Sequence, residues 1–368
     1  MKRIFLFFTI LFLFVACGDV ETFHGTSLPS PSQADNLLHY AQNVIVNETD
    51  SGYLITVRNP WDTTALLGQY VVNKPFHRVV CFSATQWSVF NQLGEIDKVK
   101  GILEGRYVND STMRALLDAG LVQDVGTEAQ VNSERLIALQ PDIILYTPYS
   151  GGGDVPRHVS TMPNTIMFPF ADYLETEPLG RAEWIRVVGI LCGRKEEADA
   201  WFDQIECRYL SLKTLCDSVE ERPTVFSDLP FNGQWYVAGG KSYIAQLFAD
   251  AGANYLWADN DKTGSVPLDF EPILAKAQHA DFWRVSNSTL QAMTYASLER
   301  ESDLYALFDA FNQHQMLVCD VVQTGYFERS SMEPDVLLAD FIYFFHPELL
   351  TGEWKNYQPK YYHWMSLQ

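Results

Sequence analysis

The chain has 368 residues, which is too many for a single small hydrophobic core and enough for two lobes of ordinary size. Hydrophobic residues make up 47% of the chain and charged residues 20%, so the composition excludes a disordered protein. The formal net charge of -20 repels nucleic acid and anionic lipid headgroups, and neither is expected as a partner.

Residues 1–17 have the layout of an export signal. Lys2 and Arg3 precede an apolar run, Ile4–Ala16, that is too short to cross a bilayer and ends at Cys17. The last four residues, FVAC, resemble a bacterial lipobox, with a small residue before the cysteine. We therefore predict a lipoprotein signal peptide and a lipid anchor on Cys17, at the periplasmic face of a bacterial cell envelope. An ordinary cleaved signal and an uncleaved anchor are the alternatives.

Residues 18–42 are polar and contain the Ser- and Pro-rich stretch Ser27–Ser32, which is typical of a flexible tether. None of the six cysteines is in a CxxC pair, and the eight histidines show no ligand spacing. We therefore expect neither a resident metal nor a cofactor, although His158 and Tyr149 could reach a metal centre from one loop.

Residues 43–193 have the pattern of an α/β lobe. After a predicted hairpin over Asn43–Trp61, short apolar runs alternate with helical periodicity. The predicted strands are Arg78–Phe82, Val99–Leu103, Ile143–Tyr146 and Thr165–Phe168. Strands separated by helices pair in parallel, so the loops at their carboxyl ends should border a ligand crevice.

Residues 194–219 predict one long helix, because apolar side chains recur there at three- and four-residue steps. Its position between two α/β halves favours a connecting strut, and the alternative is one more packing helix. Residues 220–368 repeat the strand–helix alternation and predict a second α/β lobe. In each half a glutamate, Glu134 or Glu271, occurs early in a short helix just before a strand that begins with Asp.

Several segments of the chain resemble a known family of receptors. They are RVVCFSA (Arg78–Ala84), VGTEAQVNSERLIALQPDIIL (Val125–Leu145), PLGRAEWIRVVGILCG (Pro178–Gly193), WYVAGGKSYIAQLFADAGANYLW (Trp235–Trp257) and DFIYFFHPEL (Asp340–Leu349). In this order they look like the iron-chelate and cobalamin class of ABC-transporter substrate-binding proteins. The similarity runs from about Tyr53 to the end of the chain.

The resemblance implies two Rossmann-like lobes joined by a single long α-helix, with the ligand cleft between the lobes. It also implies delivery of the ligand to an ABC permease and its ATPase subunits. Family members commonly use one surface glutamate per lobe to meet the permease, and Glu134 and Glu271 occupy those positions here. The alternative for each is a carboxylate favoured by the helix dipole.

Candidate ligand-binding residues follow the predicted strands in both lobes. In the first lobe they are Ser83, Thr85, Arg106, Tyr107, Tyr149, Asp172 and Tyr173. In the second lobe they are Gln234, Trp235, Lys241, Tyr243, Trp283, Arg284, Tyr326 and Phe327. Aromatic rings suit a large chelate and cations pair with carboxylates or phosphate, so this set predicts a bulky, partly anionic metal complex.

The favoured function is capture of an iron complex, either siderophore or haem, or of cobalamin, for a membrane importer. A receptor for a free metal ion and a secreted hydrolase are the alternatives. The sequence has no GxSxG elbow, no phosphate loop ending in GK[ST], and no GxGxxG after a strand. We therefore expect no catalytic residues and no enzymatic activity.

Overall fold

The computed structural model describes residues 35–149 and 162–368. The predicted signal peptide, Cys17, most of the predicted tether and His158 lie outside this part of the chain. Within it, no helix combines the length and the apolar character needed to cross a bilayer.

The first large sheet has five parallel strands. Their bounds are β4 (Val79–Cys81), β5 (Val99–Ile102), β6 (Gln123–Asp124), β9 (Ile143–Tyr146) and β10 (Ile166–Pro169), in the order β10-β9-β4-β5-β6. The helices between these strands are α1 (Ala84–Gln92), α2 (Ser111–Asp118) and α3 (Ser133–Leu139). Parallel pairing brings the carboxyl ends of all five strands to one edge of the sheet.

A small antiparallel sheet precedes this lobe in the chain and packs against it. It consists of β1 (Val44–Thr49), β2 (Gly52–Arg58) and β3 (Leu66–Val72). Tyr70 of β3 donates a hydrogen bond to the Met167 carbonyl at 2.9 Å, which fixes the small sheet beside β10. A pair of two-residue strands, β7 (Gly126–Thr127) and β8 (Gln130–Val131), forms a tight turn near the end of β6.

The lobe extends further towards the N-terminus than the tether predicted over residues 18–42. Leu38 and Ala41 are buried against the lobe. The buried Glu183 carboxylate accepts hydrogen bonds from the backbone N–H groups of residues 39, 40 and 41, each at 2.8 Å. A side chain that satisfies three backbone donors holds this segment in place.

Two adjacent helices, α4 (Pro178–Cys192) and α5 (Lys195–Cys216), cross the middle of the molecule. Gly193 ends α4 in the left-handed region, with φ 77°, and so permits the abrupt turn between the helices. A Cβ on Gly189 would lie 2.5 Å from the Ala198 Cβ, so the two helices approach each other as closely as their backbones allow. At 22 residues, α5 is about 33 Å long.

The second large sheet also has five strands. They are β11 (Thr224–Ser227), β14 (Asn254–Tyr255), β16 (Phe282–Asn287), β17 (Met316–Asp320) and β18 (His363–Trp364), in the order β14-β11-β16-β17-β18, with only β18 antiparallel. A three-stranded antiparallel sheet accompanies it: β12 (Pro230–Phe231), β13 (Gln234–Val237) and β15 (Val266–Leu268). The helices are α6 (Tyr243–Asp250), α7 (Phe270–Ala277), α8 (Tyr295–Glu301), α9 (Asp309–Asn312), α10 (Tyr326–Arg329) and α11 (Pro334–Phe345).

Helix α5 contacts elements of both halves. It packs along α4 on one side, and Arg208 forms an ion pair with the buried Asp335 of α11 at 2.7 Å. Tyr209 donates a hydrogen bond to Asp250 of α6 at 2.5 Å. The predicted α/β fold with two lobes, each built on its own mainly parallel sheet, is confirmed.

Candidate functional site

A cavity of about 630 Å³ lies where the carboxyl ends of the two large sheets face each other. Its size is within the range of pockets that hold a small organic ligand. The first lobe supplies Phe82, Ser83, Ala84, Thr85, Trp87, Leu103, Glu104, Tyr107, Val108, Glu128, Thr147, Tyr149, Asp172, Tyr173 and Arg181, and the second supplies Ser288, Val321, Val322, Gly325, Phe327 and Glu328. The cavity is therefore an interlobe cleft.

The start of α1 forms one part of the cleft wall. Ser83 caps this helix, and its hydroxyl accepts the Thr85 backbone N–H, while the Gln86 side chain accepts the backbone N–H groups of Phe82 and Ser83. This reciprocal capping fixes the backbone at the carboxyl end of β4. Ser83 and Thr85 thus reach the cleft on a rigid support.

Two tyrosines form the aromatic part of the first lobe's wall. The rings of Tyr149 and Tyr173 are 6.2 Å apart, and Tyr173 donates a hydrogen bond to the Pro148 carbonyl at 2.6 Å. Burial raises the pKa of Tyr149, and a hydrogen bond to Glu128 raises it further. Burial also raises the pKa of Tyr173 to about 12. Both phenols therefore remain protonated at neutral pH.

A buried ion pair belongs to the same wall. Arg181 of α4 donates from Nε to Asp172 at 3.1 Å, and its guanidinium lies 4.6 Å from the centre of the Tyr243 ring. Burial raises the pKa of Asp172, although the charge of Arg181 opposes this effect. A carboxylate thus engages the guanidinium at its Nε edge, and an aromatic ring covers one of its faces.

The second lobe contributes an apolar and acidic wall. Phe327 of α10 is 53% exposed and faces the cleft beside the turn at Gly325, where φ is 62°. Glu328 is only 6% exposed and accepts the Asn109 backbone N–H of the other lobe at 2.6 Å. Burial raises the pKa of Glu328. This hydrogen bond ties the two lobes together at one end of the cleft.

Seven of the residues predicted to bind the ligand line the cleft. They are Ser83, Thr85, Tyr107, Tyr149, Asp172, Tyr173 and Phe327. All seven follow the carboxyl ends of strands, as expected for a crevice at that edge.

Three predicted aromatic residues instead belong to the core of the second lobe. Trp235 and Trp283 are 1% and 0% exposed, and their rings lie 5.6 Å apart. Their indole N–H groups donate to the carbonyls of Ser227 and Asp228. Tyr326 is 3% exposed and packs its ring against Tyr361. Their side chains point into the lobe, so none lines the cavity.

The predicted cations also lie away from the cavity wall. Arg284 is buried and pairs with Asp228 at 2.8 Å and with the Tyr362 hydroxyl at 2.9 Å. Arg106 packs over the Tyr107 ring at 4.6 Å, and Lys241 forms an exposed ion pair with Asp261.

Two further predicted residues are outside the wall for different reasons. Gln234 lies in β13 and accepts a hydrogen bond from Tyr236, in the small sheet of the second lobe. Tyr243 lies under the guanidinium of Arg181 and supports that side chain without lining the cavity.

Four charged residues of the wall were not among the predicted ligand residues: Glu104, Glu128, Arg181 and Glu328. Glu104 follows β5, and Glu328 lies in α10 shortly after β17, so their position after a strand gave a usable signal. Arg181 lies inside the PLGRAEW motif, where helical periodicity gives no sign that one face of α4 reaches a cleft.

The described residues give no support to a metal centre made by the protein alone. Across 35–149 and 162–368, no group of three or more His, Cys, Asp or Glu side chains is placed to hold a metal ion.

Glu134 and Glu271 are exposed in the first turns of α3 and α7, one in each lobe. Among the described residues neither carboxylate is in an ion pair. Both carboxylates are therefore open to solvent.

Comparison with known proteins gives the following relatives. A family model described as Periplasmic binding protein matches residues 79–321. The chain is 26% identical over 302 residues to the uncharacterized lipoprotein MJ0878 of Methanocaldococcus jannaschii, covering 79% of this chain and 70% of the relative.

Two solved structures share the fold. The periplasmic heme binding protein of Pseudomonas aeruginosa has a TM-score of 0.57 at 19% identity, covering 74% of this chain and 93% of its own. Staphylococcus aureus IsdE, complexed with heme, has a TM-score of 0.58 at 16% identity, covering 73% of this chain and 99% of its own.

Proposed function

The chain belongs to the periplasmic binding protein family, as the resemblance in its sequence indicated, and on this premise we propose that it captures a bulky metal complex for an ABC importer. The observation that carries the proposal is the interlobe cavity of about 630 Å³, walled by strand ends of both lobes. A ligand there would touch both lobes at once, so its binding would favour one arrangement of the lobes that a permease could recognise.

The ligand class proposed is an iron complex or a cobalamin. Tyr107, Tyr149, Tyr173 and Phe327 offer aromatic surface on both sides of the cleft, which suits a ligand with large apolar faces. Two proteins of similar fold are described as heme-binding, which supports a ligand of that size. We propose binding without a chemical step.

The proposal is tested by mixing the purified protein with ferric siderophores, haem and cobalamins, and recording absorption spectra and native mass. We expect a complex of one ligand per chain, from which the ligand is recovered with unchanged mass. Phe327→Ala should weaken that complex, because Phe327 is a half-exposed ring of the cleft wall. Absence of binding by every large complex, together with tight binding of a bare divalent ion, would contradict the proposal.

We further propose that Cys17 carries a lipid anchor. The apolar run that ends at FVAC supports this, and so does the similarity to a protein described as a lipoprotein. Metabolic labelling with a fatty acid should mark the wild type and leave a Cys17→Ser variant unlabelled. Equal labelling of both proteins would place the lipid elsewhere.

We propose that Glu134 and Glu271 dock the receptor on its permease. Each is exposed at the start of a helix, so reversing its charge should leave the core intact. The double variant Glu134→Lys/Glu271→Lys should reduce ligand uptake by cells about tenfold or more while leaving ligand affinity unchanged.

A matched control reverses two exposed glutamates elsewhere, again one in each lobe: Glu48→Lys/Glu299→Lys. This control should transport normally if docking depends on position and not on total charge. Equal transport by both double variants would contradict the docking role. Glu134 and Glu271 would then be explained as carboxylates favoured by the helix dipole.

A further inference from the structure

The described wall of the cleft has an excess of negative charge. Four carboxylates line it, those of Glu104, Glu128, Asp172 and Glu328, against a single cation, Arg181. The formal balance of the described wall is therefore -4 + 1 = -3.

The single cation of the described wall already has a carboxylate partner. Arg181 already pairs with Asp172 at 3.1 Å and stacks on Tyr243. Of the three predicted cations, Arg284 and Lys241 have carboxylate partners away from the cavity, and Arg106 packs over the Tyr107 ring without lining the cavity. Among the described residues of the wall, an anionic ligand would therefore meet four carboxylates and one cation that already has a carboxylate partner.

Two of the four carboxylates are exposed at the cleft. Glu104 follows β5 in the left-handed region, with φ 56°, and Glu128 lies in the turn between β7 and β8. Among the described residues, neither has an ion pair with Lys or Arg. Glu128 accepts the Tyr149 phenol, which leaves further lone pairs for a donor on a ligand.

We propose that Glu104 and Glu128 make the cleft select a metal complex with positive charge at its periphery over a neutral or anionic complex of the same shape. This inference rests on the proposed function and narrows its ligand class. A cation reaching these carboxylates gains charge-assisted hydrogen bonds, whereas an anion is repelled by them and loses its own hydration.

The test uses three probes with one iron core. Ferrioxamine B carries a free ammonium group, its N-acetyl derivative is neutral, and its N-succinyl derivative carries a carboxylate. The three probes share the iron site and differ only in the group on one terminal nitrogen, so differences in affinity report chiefly peripheral charge. We expect wild-type affinity to fall about fivefold at each step from cation to neutral to anion, and the differences to shrink at high salt.

Variants identify the source of the preference. Glu104→Gln/Glu128→Gln should bring the three affinities to within about twofold of one another. The control Glu48→Gln/Glu299→Gln removes the same charge from exposed sites elsewhere and should keep the wild-type order.

Equal or tighter binding of the anionic derivative to the wild type would overturn the inference while leaving the proposed function intact. Retention of the cation preference in Glu104→Gln/Glu128→Gln would overturn the assignment to these two residues. Failure of the wild type to bind any large metal complex, including haem and cobalamins, would contradict the proposed function itself, and the inference with it.

Discussion

Trp235→Ala should destabilise the second lobe by about 3–5 kcal/mol, the cost of removing a large aromatic side chain from a packed core. Trp235 is 1% exposed, and its ring lies 5.6 Å from that of Trp283 and 5.9 Å from that of Phe308. Truncation would also remove the indole N–H that satisfies the buried Ser227 carbonyl at 3.0 Å.

Chemical denaturation followed by circular dichroism measures this effect. Phe231→Ala is the matched control, because Phe231 lies in the same small sheet but is 68% exposed, so its loss should change the free energy of unfolding by about 0.5 kcal/mol or less. Ligand affinity measured well below the denaturation midpoint should change less in Trp235→Ala than in Phe327→Ala. If Trp235→Ala left the denaturation midpoint unchanged but abolished ligand affinity, Trp235 would have to contact the ligand.

Trp235 also shows which property of the site could not be predicted from the sequence, namely the direction of a side chain. Position after a strand predicts which edge of a sheet a residue occupies, and this correctly brought Ser83, Tyr149 and Phe327 to the cavity. It does not predict the direction of a side chain within a small sheet that lies across the lobe. In β13 alternation buries Trp235 and Val237 and leaves Tyr236 exposed.

The ionic partners could not be predicted because they are distant in sequence. Arg284 finds Asp228, 56 residues earlier, and Tyr362, 78 residues later, only once β11, β16 and the C-terminal segment are packed together. Arg284 lies inside β16, and no residue near it in the sequence indicates these partners. The predicted anionic character of the ligand depended on cations free of such partners, and the charge balance of the folded cleft favours the opposite sign.

The alternation of strands and helices, by contrast, could be predicted well. Periodicity depends on residues a few positions apart, so the apolar positions of α5, including Ala198, Phe202 and Ile205, are buried as expected. The first strand of the first lobe's parallel sheet, β4, is buried along its length, and β11 of the second lobe is buried at Val225, Phe226 and Ser227. The local sequence pattern thus predicts the helices and strands. Pairing between residues distant in sequence decides which side chains are left to contact a ligand.

The ion pair of Arg181 and Asp172 leads to the second large effect. Asp172→Ala should cost about 3–5 kcal/mol, because it leaves a guanidinium buried without its carboxylate, and arginine cannot lose its proton. Arg181→Met should cost less, since the Asp172 carboxyl can become neutral by binding a proton. Burial already raises the pKa of that carboxyl.

The two single variants should therefore respond differently to pH. In Arg181→Met the folded-state pKa of Asp172 rises further above its unfolded value, so the folded state binds a proton more readily than the unfolded state. The destabilisation of Arg181→Met should accordingly shrink as pH falls below neutrality, whereas that of Asp172→Ala should persist. Denaturation at neutral pH and at about pH 5 compares the two.

The double variant and an exposed pair complete the test. Asp172→Ala/Arg181→Met removes both charges and should be more stable than Asp172→Ala alone, because no unpaired charge is left inside the protein. Asp261→Ala, which breaks the exposed pair with Lys241, should have no measurable effect on the unfolding midpoint. If Asp172→Ala changed the unfolding midpoint as little as Asp261→Ala, water in the open cleft would have to hydrate Arg181. An anionic ligand could then pair with Arg181. The stability of Asp172→Ala therefore also tests whether Arg181 can receive an anionic ligand.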